Sequence, residues 1–143
     1  AGTENTLGIL GAGVCAAENS ASVRYMQEQI KPLRDTMEGE LKKLSNALII
    51  VGESAERVPN TSNIILPGVE GETAVMMLDL AGFAVSTGSA CSSGRVEPSL
   101  VILAQGYAPE QALNALRVSL GWQTSHDDVT GFVKAMQNIL ENN

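Results

Sequence analysis

The sequence predicts an α/β fold, an aliphatic helical opening followed by a small, mostly antiparallel sheet covered by helices. Three observations carry that expectation. Short apolar runs at 47–51, 61–66 and 116–120 are strand-sized and end in turn residues. Between them lie longer segments whose apolar residues recur three and four apart, as on a helix face. The chain has one Trp, two Tyr and two Phe, so its core must be filled by Leu, Ile, Val, Ala and Met.

The first six residues are polar and turn-like, and a helical pattern starts at Leu7 with Leu7, Leu10, Val14 and Ala17 on one face. Gly8, Gly11 and Gly13 weaken this helix while permitting close approach of another backbone. Cys15 on that run reads as a packing cysteine. A second helical run covers 23–44 as a long connecting helix, with Pro32 expected to bend or reset it. Its charges, Glu28 to Lys43, suit a solvated face, and Met26 and Met37 read as core filler. Ala47 to Val51 reads as a strand, 57–60 as a turn and Thr61 to Leu66 as a second strand. Glu70-Gly71-Glu72 opens a helix through Leu80, capped by Gly82. Phe83-Ala84-Val85 reads as a short strand, and Glu97-Pro98 starts a helix that runs to Gly106. Leu116 to Leu120 alternates, with Arg117 and Ser119 on one face. Thr124 or Ser125 with Asp127 or Asp128 caps a last helix whose buried stripe is Val129, Phe132, Val133, Met136 and Leu140.

The 143 residues fit one ordinary domain or a piece of a larger one. A net charge of −7 argues against nucleic acid or an anionic membrane as partner, since both demand concentrated positive charge. No apolar run is long enough to span a bilayer, and a cytoplasmic location is expected. Two cysteines, Cys15 and Cys91, are too low a density for a disulfide scaffold in a chain of this length, and no Cys/His cluster offers a metal site. His126, the single histidine, falls at a helix start, where a solvated role fits better than a Cys–His catalytic pair.

Two residues stand out. Cys91 sits among small residues, Ser86-Thr87-Gly88-Ser89-Ala90-Cys91-Ser92-Ser93-Gly94, where nothing local would bury its sulfur. That is the setting of a nucleophilic thiol on a slack tether, or else of a Ser/Gly linker that happens to contain a cysteine. Arg117 interrupts an apolar strand. Its planar fork suits two-point capture of a carboxylate; the alternative is a solvated sheet edge.

The 86–94 stretch, followed by Glu97-Pro98-Ser99, resembles the catalytic loop of the cysteine desulfurases, class V aminotransferases with a Ser-Gly-Ser-Ala-Cys signature. In family order, Gly2-Thr3-Glu4-Asn5-Thr6 resembles the stretch after the cofactor lysine region. Arg57 to Asn63 and Gly68 to Glu72 resemble the segments before the loop, and Leu116 to Gly121 the family's arginine strand.

The resemblance implies a fold-type I, aspartate-aminotransferase-like architecture and pyridoxal phosphate chemistry on L-cysteine, yielding L-alanine. Cys91 would take the substrate sulfur as a persulfide for iron–sulfur cluster or thio-cofactor biosynthesis, and pass it to an acceptor scaffold protein. Arg117 would hold the substrate carboxylate, and Thr3 the phosphate of the cofactor in the other subunit of a homodimer. The cofactor lysine has no counterpart here, since Lys31, Lys42, Lys43 and Lys134 all read as solvated. The chain is therefore expected to be the C-terminal portion of such an enzyme, inactive alone. Residues 1–46 would be the end of the large domain and the connecting helices. Residues 47–143 would be the small domain, with the cysteine loop at 86–96. A non-catalytic module that binds a sulfur-acceptor scaffold, or an aminotransferase-type relative, remains the alternative.

Overall fold

A helical rod opens the chain and leads into a four-stranded sheet. The computed structural model describes residues 2–87 and 97–142, without the side chains of residues 19 and 20. Helix α1 (Thr6–Tyr25) runs through a π-helical turn (Met26–Ile30) into α2 (Lys31–Leu44). Asn5 caps α1, its side chain accepting from the Gly8 N–H at 3.1 Å. The sequence places the reset at Pro32, and its physical form is the π turn. Pro32 has no N–H for the carbonyl four residues back and crowds it. The helix widens just before, so that the Lys31 N–H reaches the Met26 carbonyl five residues away.

Strands β1 (Ile49–Ile50) and β2 (Thr61–Ile65), helix α3 (Gly71–Leu80) and strand β3 (Ser86–Thr87) follow. Then come the short helices α4 (Leu100–Ala104) and α5 (Pro109–Leu113), strand β4 (Ala115–Ser119) and helix α6 (His126–Glu141). The sheet order is β1-β2-β4-β3, every pair antiparallel. Two glycines are needed where they stand. A Cβ on Gly71 would lie 2.5 Å from the Ala115 carbonyl oxygen, so α3 starts hard against the β4 backbone. Gly82, at φ +87°, ends α3 in a Schellman motif: its N–H bonds to the Asp79 carbonyl and the Phe83 N–H to that of Leu78.

The sheet's two faces differ. On the inner face Ile64, Leu116 and Val118 pack against Ile30, Leu33, Met37 and Leu41 of the rod and Val129, Phe132, Met136 and Ile139 of α6. On the outer face a smaller cluster of Val51, Ile65 and Ala115 is covered by Ile102 of α4 and Ala112 of α5.

Several expectations are corrected. Residues 83–85 are not a strand; the strand is Ser86–Thr87, and Phe83 turns inward to meet Phe132 edge-on at 5.7 Å. The helix expected from Glu97 starts only at Leu100 and stops at Ala104, and α5 has no counterpart in the sequence reading. Arg34 and Glu38 are buried rather than solvated, because Arg57 arrives from the β1–β2 connection to pair with Glu38. Cys15 is exposed, not packed: α1 is exposed from Thr6 to Glu18, with Leu7, Leu10 and Val14 uncovered by any described residue. Ile139 joins the buried stripe of α6, in which Val133 and Leu140 are only partly buried. The capping box forms as Ser125 with Asp128.

Candidate active site

The alternation of β4 decides where Arg117 points. Leu116 and Val118 fill the inner core, so Arg117 and Ser119 must face the other way, and both are exposed. The cost of burying an arginine therefore does not arise. What stands out is that the guanidinium makes no hydrogen bond or ion pair among the described residues.

Its neighbours follow from the strand register. Arg117 lies opposite Asn63 on β2 and Ser86 on β3. With Thr61 and Ser119, which pair at 3.5 Å between hydroxyl oxygens, these residues form the polar end of the outer face. The Asn63 carbonyl accepts from the Val51 N–H, so the Asn63 backbone points away from β4. Asn63 and Arg117 are therefore a non-hydrogen-bonded pair, the kind whose side chains stand closest. Asn63 Oδ1 is buried and accepts nothing among the described residues. Sequence reasoning assigned Asn63 no role, because only the register with Arg117 gives it one.

Ser86 and Thr87 end the description of the chain before the cysteine-bearing stretch; Cys91, and the 88–96 part of the expected 86–96 loop, lie outside the described residues. The structure thus brings the root of that stretch to Arg117. It does not bring Thr3 there: Thr3 is exposed, ahead of the uncovered start of α1.

Beneath the opposite face lies a charged network. Arg57 grips Glu38 through two N–H···O bonds of 2.8 Å each, and Arg34 donates to the Val58 carbonyl at 2.5 Å and to Asp35 at 2.6 Å. Burial alone would raise the Glu38 pKa. The Arg57 hydrogen bonds, the nearby Ser62 hydroxyl and the two guanidinium charges outweigh it and hold the carboxyl below its ordinary value. Ser62 Oγ, buried, forms no hydrogen bond of good geometry, so the guanidiniums carry most of this effect. An open polar cleft of about 430 Å³ runs along this network, lined by Lys31, Arg34, Glu38, Lys42, Glu53 and Arg57. These charges satisfy one another, and neither Arg117 nor β3 borders the cleft.

The described residues do not fit pyridoxal phosphate. Lys31 pairs with Asp35, Lys42 with Glu53 and Lys43 with Glu40, while Lys134 is exposed on α6. None is a buried amine beside a ring-sized cavity. Among the described residues there is also no cluster of three or more metal-ligating side chains, and no helix is long and apolar enough to cross a membrane.

Comparison with known proteins bears on the family and the fold. Residues 1–132 match the family model described as Aminotransferase class-V. A cysteine desulfurase of Gluconacetobacter diazotrophicus is 36% identical over 141 residues, covering 98% of this chain and 35% of that protein. The cysteine desulfurase NifS of Azotobacter vinelandii is 32% identical over 140 residues, again covering 98% and 35%. Among solved structures, a NifS-like protein from Rickettsia africae superposes with a TM-score of 0.84 at 29% identity, over 99% of this chain and 36% of that one. The chain thus spans about a third of the length of these relatives. The match over residues 1–132, nearly the whole chain, places this chain in the class-V aminotransferase family.

Proposed function

We propose that this chain supplies the sulfur-accepting thiol and the carboxylate clamp of a cysteine desulfurase acting on L-cysteine, with Cys91 as nucleophile and Arg117 as clamp. One observation carries the reading: the strand that leads to Cys91 starts at Ser86, directly opposite Arg117, whose guanidinium has no partner among the described residues. Cys91 follows Ser86 by five residues, a tether that spans at most about 17 Å. A substrate held by its carboxylate on Arg117 therefore lies within the compass of that thiol. The names of the relatives support the same activity.

Cys91 as thiolate attacks the substrate sulfur. An S–S bond forms as the substrate's Cβ–S bond breaks, and the three-carbon remainder takes up a proton and leaves as L-alanine. Pyridoxal phosphate, which by the family's chemistry makes that bond breakable, would be held by parts of the enzyme that these residues do not span. This chain's own work is to orient the carboxylate and receive the sulfur. A small-residue tether then lets Cys91 offer its persulfide to an acceptor scaffold protein for iron–sulfur cluster assembly, in a reducing cytoplasm where the thiol survives. The exposed Leu7, Ile9, Leu10 and Val14 of α1 suit burial against the rest of such an enzyme or its dimer mate, with Thr3 near the cofactor phosphate of the other subunit.

The test uses the complete polypeptide containing this segment, loaded with pyridoxal phosphate and given L-cysteine and a reductant. Sulfide and alanine are expected in equal amounts, and Cys91→Ala is expected to abolish both. Full release by Cys91→Ala would remove the thiol from the mechanism.

A further inference from the structure

Among the described residues, the outer face of the sheet holds an acceptor without a donor beside a donor without an acceptor. Asn63 Oδ1 is buried and unpaired, and Arg117, its cross-strand partner, has an unengaged guanidinium among the described residues. Among the described residues, none of the other neighbours of Asn63 on that face makes the missing bond. Val51, Ile65 and Ala115 are apolar and buried, and the hydroxyls of Thr61 and Ser119 lie against each other. Buried polar groups left unpaired are uncommon and call for a partner. The guanidinium directly across the ladder is such a donor, and its five N–H groups exceed what a single carboxylate can accept.

We propose that Asn63 is the positioning residue for the Arg117 clamp: its Oδ1 accepts one guanidinium N–H when Arg117 turns in toward a substrate carboxylate. This fixes the plane of the fork and leaves two parallel N–H groups for the two carboxylate oxygens. The inference rests on the carboxylate-binding role of Arg117 and deepens it, by assigning the acceptor that sets which edge of the guanidinium the substrate meets. An amide suits the task better than a carboxylate. It holds the cation without neutralising it, so the positive charge stays available to the substrate.

The experiment measures steady-state kinetics of the complete pyridoxal-phosphate-loaded enzyme in the variants Asn63→Ala, Asn63→Asp and Arg117→Ala, with L-alanine as a competitive inhibitor carrying the same carboxylate. Loss of one hydrogen bond to a charged group predicts that Asn63→Ala raises KM for L-cysteine about tenfold (~1.4 kcal/mol). Its kcat should stay within about twofold, and the inhibition constant for alanine should rise by the same factor as KM. Asn63→Asp, nearly the same shape, introduces an internal anion that competes for the fork, and should raise both constants further than Ala does. A merely structural role would instead lower kcat or the amount of folded enzyme, without a matched rise in the two constants. Unchanged constants in both Asn63 variants, with Arg117→Ala still raising them, would overturn the positioning role alone. Unchanged constants in Arg117→Ala would remove the clamp and the inference together.

Discussion

Ser86 and Arg117 are cross-strand partners, so the strand leading to Cys91 and the cation that would hold the substrate are joined across one ladder. Their relative position is set by the backbone of β3 and β4 and not by side-chain contacts. Truncating Arg117 should therefore leave the fold intact and act on substrate binding. Arg117→Ala is expected to raise KM for L-cysteine about 30- to 100-fold, equivalent to ~2–3 kcal/mol for a lost two-point ionic contact. Arg117→Lys should recover only part of this, because an ammonium offers a point charge where the guanidinium offers a fork. Steady-state kinetics with a parallel thermal melt checks both.

Glu38 and Arg57 form the buried pair that ties α2 to the β1–β2 connection. Replacing Glu38 by Gln leaves Arg57 without its anion. The cost should be roughly 2–3 kcal/mol, below the figure for a fully buried pair because Arg57 keeps some contact with water. Urea unfolding of wild type and variant at neutral pH measures it.

The same carboxylate sets an acid limb. The Glu38 pKa is lowered in the folded protein relative to its ordinary value of 4.5. Its stabilisation is therefore fully present above about pH 4.5 and is lost as pH falls through the lower folded value. Asp35, likewise lowered from 3.8 by Lys31 and Arg34 against the opposing effect of burial, adds to the loss in the same direction. Melting temperature recorded from pH 7 down to pH 3 should fall less steeply in Glu38→Gln than in wild type. Equal slopes would show that the pair does not set the acid limb.

Gly71 allows α3 to start against the Ala115 carbonyl, two residues before Arg117. Gly71→Ala forces backbone apart, since its neighbour is a carbonyl oxygen and not a yielding side chain. A loss of about 1–3 kcal/mol is expected, with a rise in KM if β4 shifts. Gly131→Ala, which meets only the rim of the Phe83 ring at 3.2 Å, should cost less. Denaturant midpoints of the two variants give the comparison.

How much of this could be read in the sequence depends on whether the signal was local. The alternation of β4 was legible because its inner face is continuous core and its outer face is not, and the α6 capping box because Ser125 and Asp128 are three residues apart. Strand β3 was displaced from 83–85 to 86–87 because it is defined by pairing with β4; its apolar predecessors Phe83 and Val85 pack against the core without joining the ladder. The buried charges of α2 looked solvated because Arg57, which satisfies Glu38, comes from beyond β1. Asn63 carried no signal of its own, since its significance lies in a register with a residue far along the chain. Cys15 reads as packing from its small apolar neighbours on the helical run, a local pattern that does not say what covers a helix face.

On this mechanism a sulfur atom passes to Cys91 from a substrate held by Arg117. The most direct measurement is mass spectrometry of the Cys91 peptide after a single turnover of the complete enzyme with L-cysteine, trapped with an alkylating agent. One added sulfur is expected on Cys91 in the wild type, and a strongly reduced amount in Arg117→Ala at subsaturating substrate. An unmodified Cys91 peptide alongside stoichiometric alanine would contradict this mechanism.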